Sequence, residues 1–355
     1  MIKHDISSYI LPPEWTQQSG VLIAWPHGHS DWSARLAHIE PAYVALAREI
    51  SVREPLAIAC WDAQHIAHVL DRLRAAGAAL ENIRCWQIPT NDTWVRDTAP
   101  LTVFDQKQQP VLLDFIFNGW GGKYDAHFDN ALTERLHQLG VFGQRERRPI
   151  NLVLEGGSIE VNGRGTLLTT AACLLAKTRN PTLSQQQIEH QLHQLLGVDQ
   201  VLWLHHGYLA GDDTDSHVDM LARFCDDKTI CYVGCDDAND EHYAELQAMA
   251  AELRAFRTRD GDAYRLIELP WPQAKYNDEG ERLPASYANF LIINGAVLVP
   301  VYDDPADVIA LERIGAVFPG RAIVAVPGLP LIEQRGGLHC ATMQFPMGAL
   351  SQIVA

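Results

Sequence analysis

The chain has 355 residues, 47% hydrophobic and 20% charged, enough for an ample core in one large domain or two ordinary ones. Its formal net charge of −16 argues against a nucleic-acid-binding surface, which needs a basic face, and is compatible with a cationic partner. The first ten residues lack the long apolar core of a signal peptide, and no run approaches the roughly 18 to 20 apolar residues of a membrane span. Seven cysteines (Cys60, Cys85, Cys173, Cys225, Cys231, Cys235 and Cys340) are an odd number scattered over a long chain. They read as reduced thiols of a cytoplasmic protein without a membrane partner, not as a disulfide scaffold.

Short β-rich runs bounded by Gly, Pro, Asn or Asp recur along the chain: 21–24, 56–59, 111–117, 151–154, 166–170, 201–204, 229–233, 290–293, 296–301 and 322–326. Between them lie amphipathic helices. Ile66, Val69, Leu70 and Leu73 form one stripe, and Leu132, Leu136 and Leu139 another. Ile188, Leu192, Leu195 and Leu196 form a third, and Tyr243, Leu246, Ala250 and Leu253 a fourth. A further helix opens with Asp304 as its cap, Pro305 at its first position and Asp307 facing the positive end of its dipole; Pro319-Gly320 closes it. Arg145 to Arg148 is the one basic cluster and is expected in a solvated loop. No Ser/Gly-rich linker divides the chain, so one α/β domain over 1–355 is expected, with a structural unit reused several times. Neither nucleotide-binding glycine motif is present. Spacing alone does not choose between a doubly wound sheet and a circular arrangement of units.

Four stretches place polar residues beside glycine or at strand ends. In Trp94-Val95-Arg96-Asp97, Asp97 stands at the entry to a strand, and a turn or an ion pair with Arg96 is the plain alternative. In Glu155-Gly156-Gly157, a carboxylate follows a strand, where it can accept a hydrogen bond from an imidazole or simply face water. Asp212 to Asp219 holds Asp212, Asp213, Asp215 and Asp219 around His217. His217 and Asp219 share a face if the segment is extended, and the acids repel one another unless a cation, metal or organic, sits among them. Cys225, Cys231 and Cys235 lack the spacing of a zinc site, and Cys231 falls on a strand.

The fourth stretch is Arg335-Gly336-Gly337-Leu338-His339-Cys340. Its paired glycines permit positive φ and close backbone approach, and they would hold Cys340 at the mouth of whatever they line. A nucleophilic thiol needs a partner, such as a histidine, that lowers its pKa; the alternative is a small buried inert cysteine. A thiol, an imidazole and several carboxylates from distant stretches suit attack on a planar guanidinium better than on a peptide carbonyl. The fork of guanidinium donors pairs with carboxylates, for which a protease has no use.

Pro13-Glu14-Trp15, Ala24-Trp25-Pro26, Arg96 to Pro100, Trp120-Gly121-Gly122, Glu155 to Ile159, Asp213 to Asp219 and Gly336 to Cys340 occur in this order over residues 13 to about 345. In this the chain resembles the agmatine deiminases of the guanidine-modifying superfamily. The resemblance implies a five-fold pseudo-symmetric α/β propeller of ββαβ units around a central channel. It also implies Cys340 as nucleophile, His217 as general acid/base with Glu155 as its partner, and Asp97 and Asp219 as the pair that grips the guanidinium. Asp213 is similar to an acidic position that helps bind substrate, and Trp94, Trp120 and Gly121 stand where the family lines its pocket. The implied reaction passes through a covalent thiouronium on Cys340 and needs no metal or organic cofactor. Relatives commonly self-associate, so a homo-oligomer is an expectation. Ala99 and Thr214-Asp215-Ser216 depart from the family's pattern. Agmatine is the expected substrate, with peptidyl-arginine, free arginine and amidino transfer to an amine as rivals, and a non-catalytic guanidine binder as a further one.

Overall fold

Residues that are buried on both faces of a sheet read as short uncharged runs, apolar with interspersed threonine, and the interior strands here do so. Leu56–Cys60, Thr166–Thr170 and Thr229–Val233 are buried at every position. The structure, a computed structural model, describes residues 9–351. All but two residues of the N-terminal stretch read above as lacking an apolar leader lie outside that range.

Five sheets repeat one pairing pattern, an antiparallel pair followed by a helical crossover to a parallel strand. Leu101–Asp105 pairs antiparallel with Pro110–Ile116, which pairs parallel with Glu146–Val153. Ile159–Val161, Thr166–Thr170 and Gln200–Leu204 repeat this around helix Gln185–Leu196. Ala222–Phe224, Thr229–Val233 and Arg265–Leu269 do so around Tyr243–Ala255, and Leu291–Ile293, Ala296–Val301 and Ala322–Pro327 around Ala306–Val317. In the remaining sheet the antiparallel partner comes from the far end of the chain. Thr342–Pro346 pairs with Gln18–Ala24, which continues in parallel to Leu56–Cys60 and Ile83–Gln87. The protein is thus a mixed α/β fold in which residues near 20 and near 344 complete one sheet.

The expected strands and helical stripes appear, most with boundaries moved by a residue or two. However, Gln18–Ala24 starts three residues and Glu146–Val153 five residues before the expected strand, and Leu139 falls just past its helix Leu132–Gln138. Helix Leu36–Ser51 carries no side-chain cap and contains Pro41, so it lacks the usual start signal, yet it buries Ile39, Tyr43, Leu46 and Ile50. The basic cluster is not a loop: residues 146–148 open strand Glu146–Val153, where Arg147 pairs with Asp114 at 2.7 Å. Asp304 does accept a hydrogen bond, from the Ala306 N–H at 3.0 Å, but the helix starts after Pro305 and not on it. Asp307 reaches back to the N–H groups of Tyr302 and Asp304. All seven cysteines are free. Cys225, Cys231 and Cys235 are buried, and none belongs to a group of three metal-ligating side chains among the described residues. No helix among those residues is long and apolar enough to cross a membrane.

Candidate active site

The polar residues singled out above enter at one recurring point, the few residues before the first strand of each sheet. Asp97 lies in the turn Val95–Thr98 ahead of Leu101–Asp105, and Glu155 precedes the turn Gly156–Ser158 and strand Ile159–Val161. His217 and Asp219 flank the start of Val218–Met220, ahead of Ala222–Phe224. Asn289 precedes Leu291–Ile293, and Cys340 precedes Thr342–Pro346.

Gly157 shows how tightly these turns converge. A Cβ built on it would stand 2.7 Å from His217 Nδ1, 2.9 Å from Asp97 Oδ1 and 3.1 Å from Asp219 Oδ2. Only glycine leaves room for the three groups. Gly336 and Gly337 serve the same need: a side chain would fall on the Trp94 ring at one and on Asn289 at the other. The positive φ expected there belongs to Arg335 instead, at +70°.

Asp97 is held from two sides. Its Oδ2 accepts from Trp120 Nε1 at 2.9 Å and its Oδ1 from the Gly157 N–H at 3.0 Å, while His217 Nδ1 stands 3.7 Å away. Burial pushes its pKa up to about 6, with the His217 charge opposing and the Asp219 charge adding. Asp219 goes the other way. Burial would raise it, but the hydrogen bond from His339 Nδ1 at 2.8 Å and the charges of His339 and His217 hold it below its ordinary value.

Cys340 Sγ lies 3.4 Å from Asp219 Oδ2 and 3.2 Å from Asn289 Nδ2, and Asn289 Oδ1 accepts from the N–H groups of His339 and Cys340. No neighbour lowers the thiol pKa below that of a free cysteine. Burial, then the carboxylates of Asp219 and Asp97, push it well above the ordinary value, so the expected lowering by a histidine is reversed. His217 is fully buried, and among the described residues neither ring nitrogen has a partner at ordinary hydrogen-bond distance. Burial favours its neutral form, but the Asp97 carboxylate and Cys173 outweigh it and hold its pKa well above 6.5.

A cavity of about 200 Å³ opens onto Cys340. Trp94, Asp97, Trp120 and Asp213 line it as expected, joined by Tyr124, whose hydroxyl donates to Asp213 Oδ2 at 2.6 Å. Asp31, Asp92 and Glu333 add further acids, and Arg335 is the one basic residue of the lining. Gly121 does not line the cavity; it packs against Thr178. Glu155, His217 and Asp219 stand behind the wall, fully buried.

Two further expectations are corrected. His217 and Asp219 meet the site through the single-turn helix Val218–Met220, not an extended segment. Glu155 does not hydrogen-bond His217; Arg179 Nε takes both its oxygens, at 2.9 and 3.0 Å. The cations that allow so many acids together are side chains of the protein: Lys123 and Arg179 both pair with Asp215. Among the described residues two groups offer three metal-ligating atoms each, Glu155–Cys173–His217 and Glu14–Glu160–His339. Arginines already occupy their carboxylates: Arg179 on the first, Arg223 on both Glu14 and Glu160.

Sequence reasoning missed Asn289, His339 with its partner Glu14 (2.7 Å), Arg179 and Cys173. His339 adjoins Cys340, and Asn289 shares the position before a first strand, a signal that becomes visible once the strands are known.

The model of the Porphyromonas-type peptidyl-arginine deiminase family matches residues 10–346. An agmatine deiminase of Stutzerimonas stutzeri is 35% identical over 362 residues, covering 95% of each chain. A cysteine-to-serine agmatine deiminase of C. jejuni, solved with substrate bound, superposes with a TM-score of 0.88 at 35% identity, over 95% of this chain and 96% of that one. A Porphyromonas gingivalis protein provisionally named an arginine deiminase gives 0.89 at 44% identity, over 97% and 100%.

Proposed function

The chain belongs to the Porphyromonas-type peptidyl-arginine deiminase family, and from that premise we propose that it hydrolyses agmatine to N-carbamoylputrescine and ammonia, acting on a C–N bond of a guanidinium. The observation that carries this reading is the Cys340 thiol at 3.4 Å from Asp219 Oδ2, at the end of a cavity rich in acids. Such a thiol stays protonated until a cation arrives. A guanidinium between Asp97 and Asp219 brings the missing positive charge and accounts for both carboxylates.

In the proposed cycle the guanidinium cation bound between the two carboxylates lets the thiol release its proton to solvent while Asp97 and Asp219 stay ionised. The sulfur attacks the guanidinium carbon, and His217, already an imidazolium, gives its proton to the departing amine. Ammonia leaves a planar thiouronium on Cys340. His217, now neutral, takes a proton from water as its oxygen adds to the same carbon. Collapse passes the adduct's hydroxyl proton to the departing sulfur, restoring the thiol as the ureido product leaves. The proton first given up by the thiol departs with ammonia as ammonium. Acid–base assistance of this kind contributes roughly 10² to 10⁴ in rate. Positioning and the two carboxylates supply most of the rest. No step calls on a metal or organic cofactor.

The far end of the substrate is where the rivals differ. Asp31, Asp213 and Glu333 suit the free amine of agmatine, whereas Arg335 suits the carboxylate of arginine. The acids outnumber the single cation, which favours the amine. Ammonia release from agmatine, arginine and a blocked arginyl peptide tests this. Agmatine is expected to give the highest kcat/KM. Faster turnover of arginine or the peptide reassigns the substrate, and turnover of none removes the enzyme claim.

As part of the same proposal the five sheets are the blades of one α/β propeller domain, in a cytoplasmic enzyme. The shared strand pairing and the entry of each site residue before a first strand support the propeller, and seven free thiols support the compartment.

A further inference from the structure

A general acid/base must present one ring nitrogen to the reacting atoms and keep the ring from turning. His217 is fully buried, yet among the described residues neither nitrogen has a partner at ordinary hydrogen-bond distance, and Asp97 Oδ1 is 3.7 Å away. Cys173 is the side chain whose weaker hydrogen bonding favours the charged ring. Glu155, the carboxylate expected to orient the ring, is committed to Arg179. Another group must therefore fix the ring. Glu155, Cys173 and His217 each bring a ligand atom within 4.8 Å of the others, and all three are buried.

The backbone around this group is pinned by one hydroxyl. Thr170 caps the helical turn Ala171–Leu174: its Oγ1 accepts from the Cys173 N–H at 3.3 Å and donates to the Ser216 carbonyl at 2.7 Å. Cys173 and the residue before His217 are thereby tied to the same atom. Arg179 braces the opposite side, joining Glu155 to Asp215 (2.6 Å) and to the Thr214 carbonyl (2.8 Å). Nothing in the proposed cycle uses the Cys173 thiol, and the thiol is closed off from solvent. A soft metal ion would find a thiol and an imidazole here, but Arg179 has taken both oxygens of the third donor.

We propose that Cys173 is a positioning residue for His217, its sulfur holding the imidazole in the orientation that acid–base transfer at Cys340 requires. The inference rests on the deiminase reading for its kinetic test only. The charged and titratable groups facing the ring are Asp97 from the turn 95–98, Glu155 before Gly156, Arg179, Asp219 from its own turn and Cys173 itself. A sulfur that accepts the ring proton favours the imidazolium, so its removal makes His217 a weaker base.

For Cys173→Ala the expected result is a kcat lower by about 10- to 100-fold, the scale at which misplaced groups are felt, with KM within about twofold. The pH limb set by His217 moves to lower pH by about one unit. Cys173→Ser, which restores a hydrogen-bonding atom on a shorter reach, is expected to recover part of the kcat. A titration of the His217 ring ¹⁵N signals in the substrate-free protein reads the contact without turnover. Its midpoint should fall in Cys173→Ala, which keeps this inference testable if no guanidine proves to be a substrate. An unmoved midpoint overturns the proposal, and so does equal loss of activity in both variants with a lowered Tm.

Discussion

Asp97 and Asp219 converge on the same glycine from different sheets, and both influence the Cys340 thiol, yet the protein treats them oppositely. Asp97 has neutral donors, the Trp120 indole and the Gly157 amide, and is pushed up to about 6. Asp219 has His339 behind it, backed in turn by Glu14, Arg96 and Arg223, and is held below its ordinary value. Two carboxylates with one geometric task therefore differ in how firmly each keeps its charge. What stands behind a carboxylate decides this more than what stands in front of it.

The difference can be broken most sharply by neutralising each acid. Asp219→Asn removes the charge nearest the sulfur and leaves His339 a neutral acceptor in place of an anion. Turnover is expected to fall by roughly 10³ or more, at the upper end for loss of one electrostatic contact, measured as ammonia release. Stability should fall as well, by about 1–3 kcal/mol for a buried charged hydrogen bond. The sign follows from linkage: a carboxyl with a depressed folded pKa contributes stability above its unfolded pKa, and that contribution is lost as pH falls through the folded value.

Asp97→Asn is the contrasting case. Activity should fall by about 10²–10³, but the stability effect should have the opposite sign. A carboxyl whose folded pKa is raised from 3.8 to about 6 destabilises the fold once ionised, fully so above about pH 6 and not at all well below 3.8. Removing that charge at pH 7 lifts a penalty of about 3 kcal/mol, reduced to a net gain of about 1–2 kcal/mol because the amide keeps only one acceptor oxygen for two donors. Equal destabilisation of both variants in thermal melts would erase the distinction between the two acids.

The unaltered protein should also report it. If Asp97 must be ionised to grip a guanidinium, kcat/KM falls about tenfold per pH unit below about pH 6. Asp219, already ionised there, adds nothing to that limb. A flat profile from pH 7 to 5 would mean that Asp97 is not required as an anion.

The chemical members of the site were legible because thiol, imidazole and acids stood beside glycine in an ordered set of motifs. What stands behind them was not. Arg179 takes Glu155 from another stretch of chain, and a hydrogen bond between two distant residues leaves no local pattern. Gly336 and Gly337 were read as positive φ and close approach to a ligand, whereas their clearance is for Trp94 and Asn289, which only the fold brings near. Strand chemistry was legible where burial on both faces gave short uncharged runs. It was lost in residues 146–150, the first part of a strand expected only from 151, whose arginines pair with acids across the sheet or lie exposed.

Trp120→Phe offers the smallest and most selective test. The substitution keeps a ring in the wall and deletes one N–H, the 2.9 Å donor to Asp97 Oδ2. That donor favours the ionised carboxylate, so its loss raises the Asp97 pKa further, by about one unit if the bond contributes the roughly 1.5 kcal/mol of a weak charged hydrogen bond. The acid limb of kcat/KM should then move up toward pH 7. The rate should drop about twofold at pH 7 and scarcely at pH 8.5, where Asp97 is ionised in either protein. Asp219 has no indole donor, so its limb should stay where it is. A uniform loss at every pH would assign Trp120 to substrate packing alone, and the unequal charge of the two acids would then owe nothing to it.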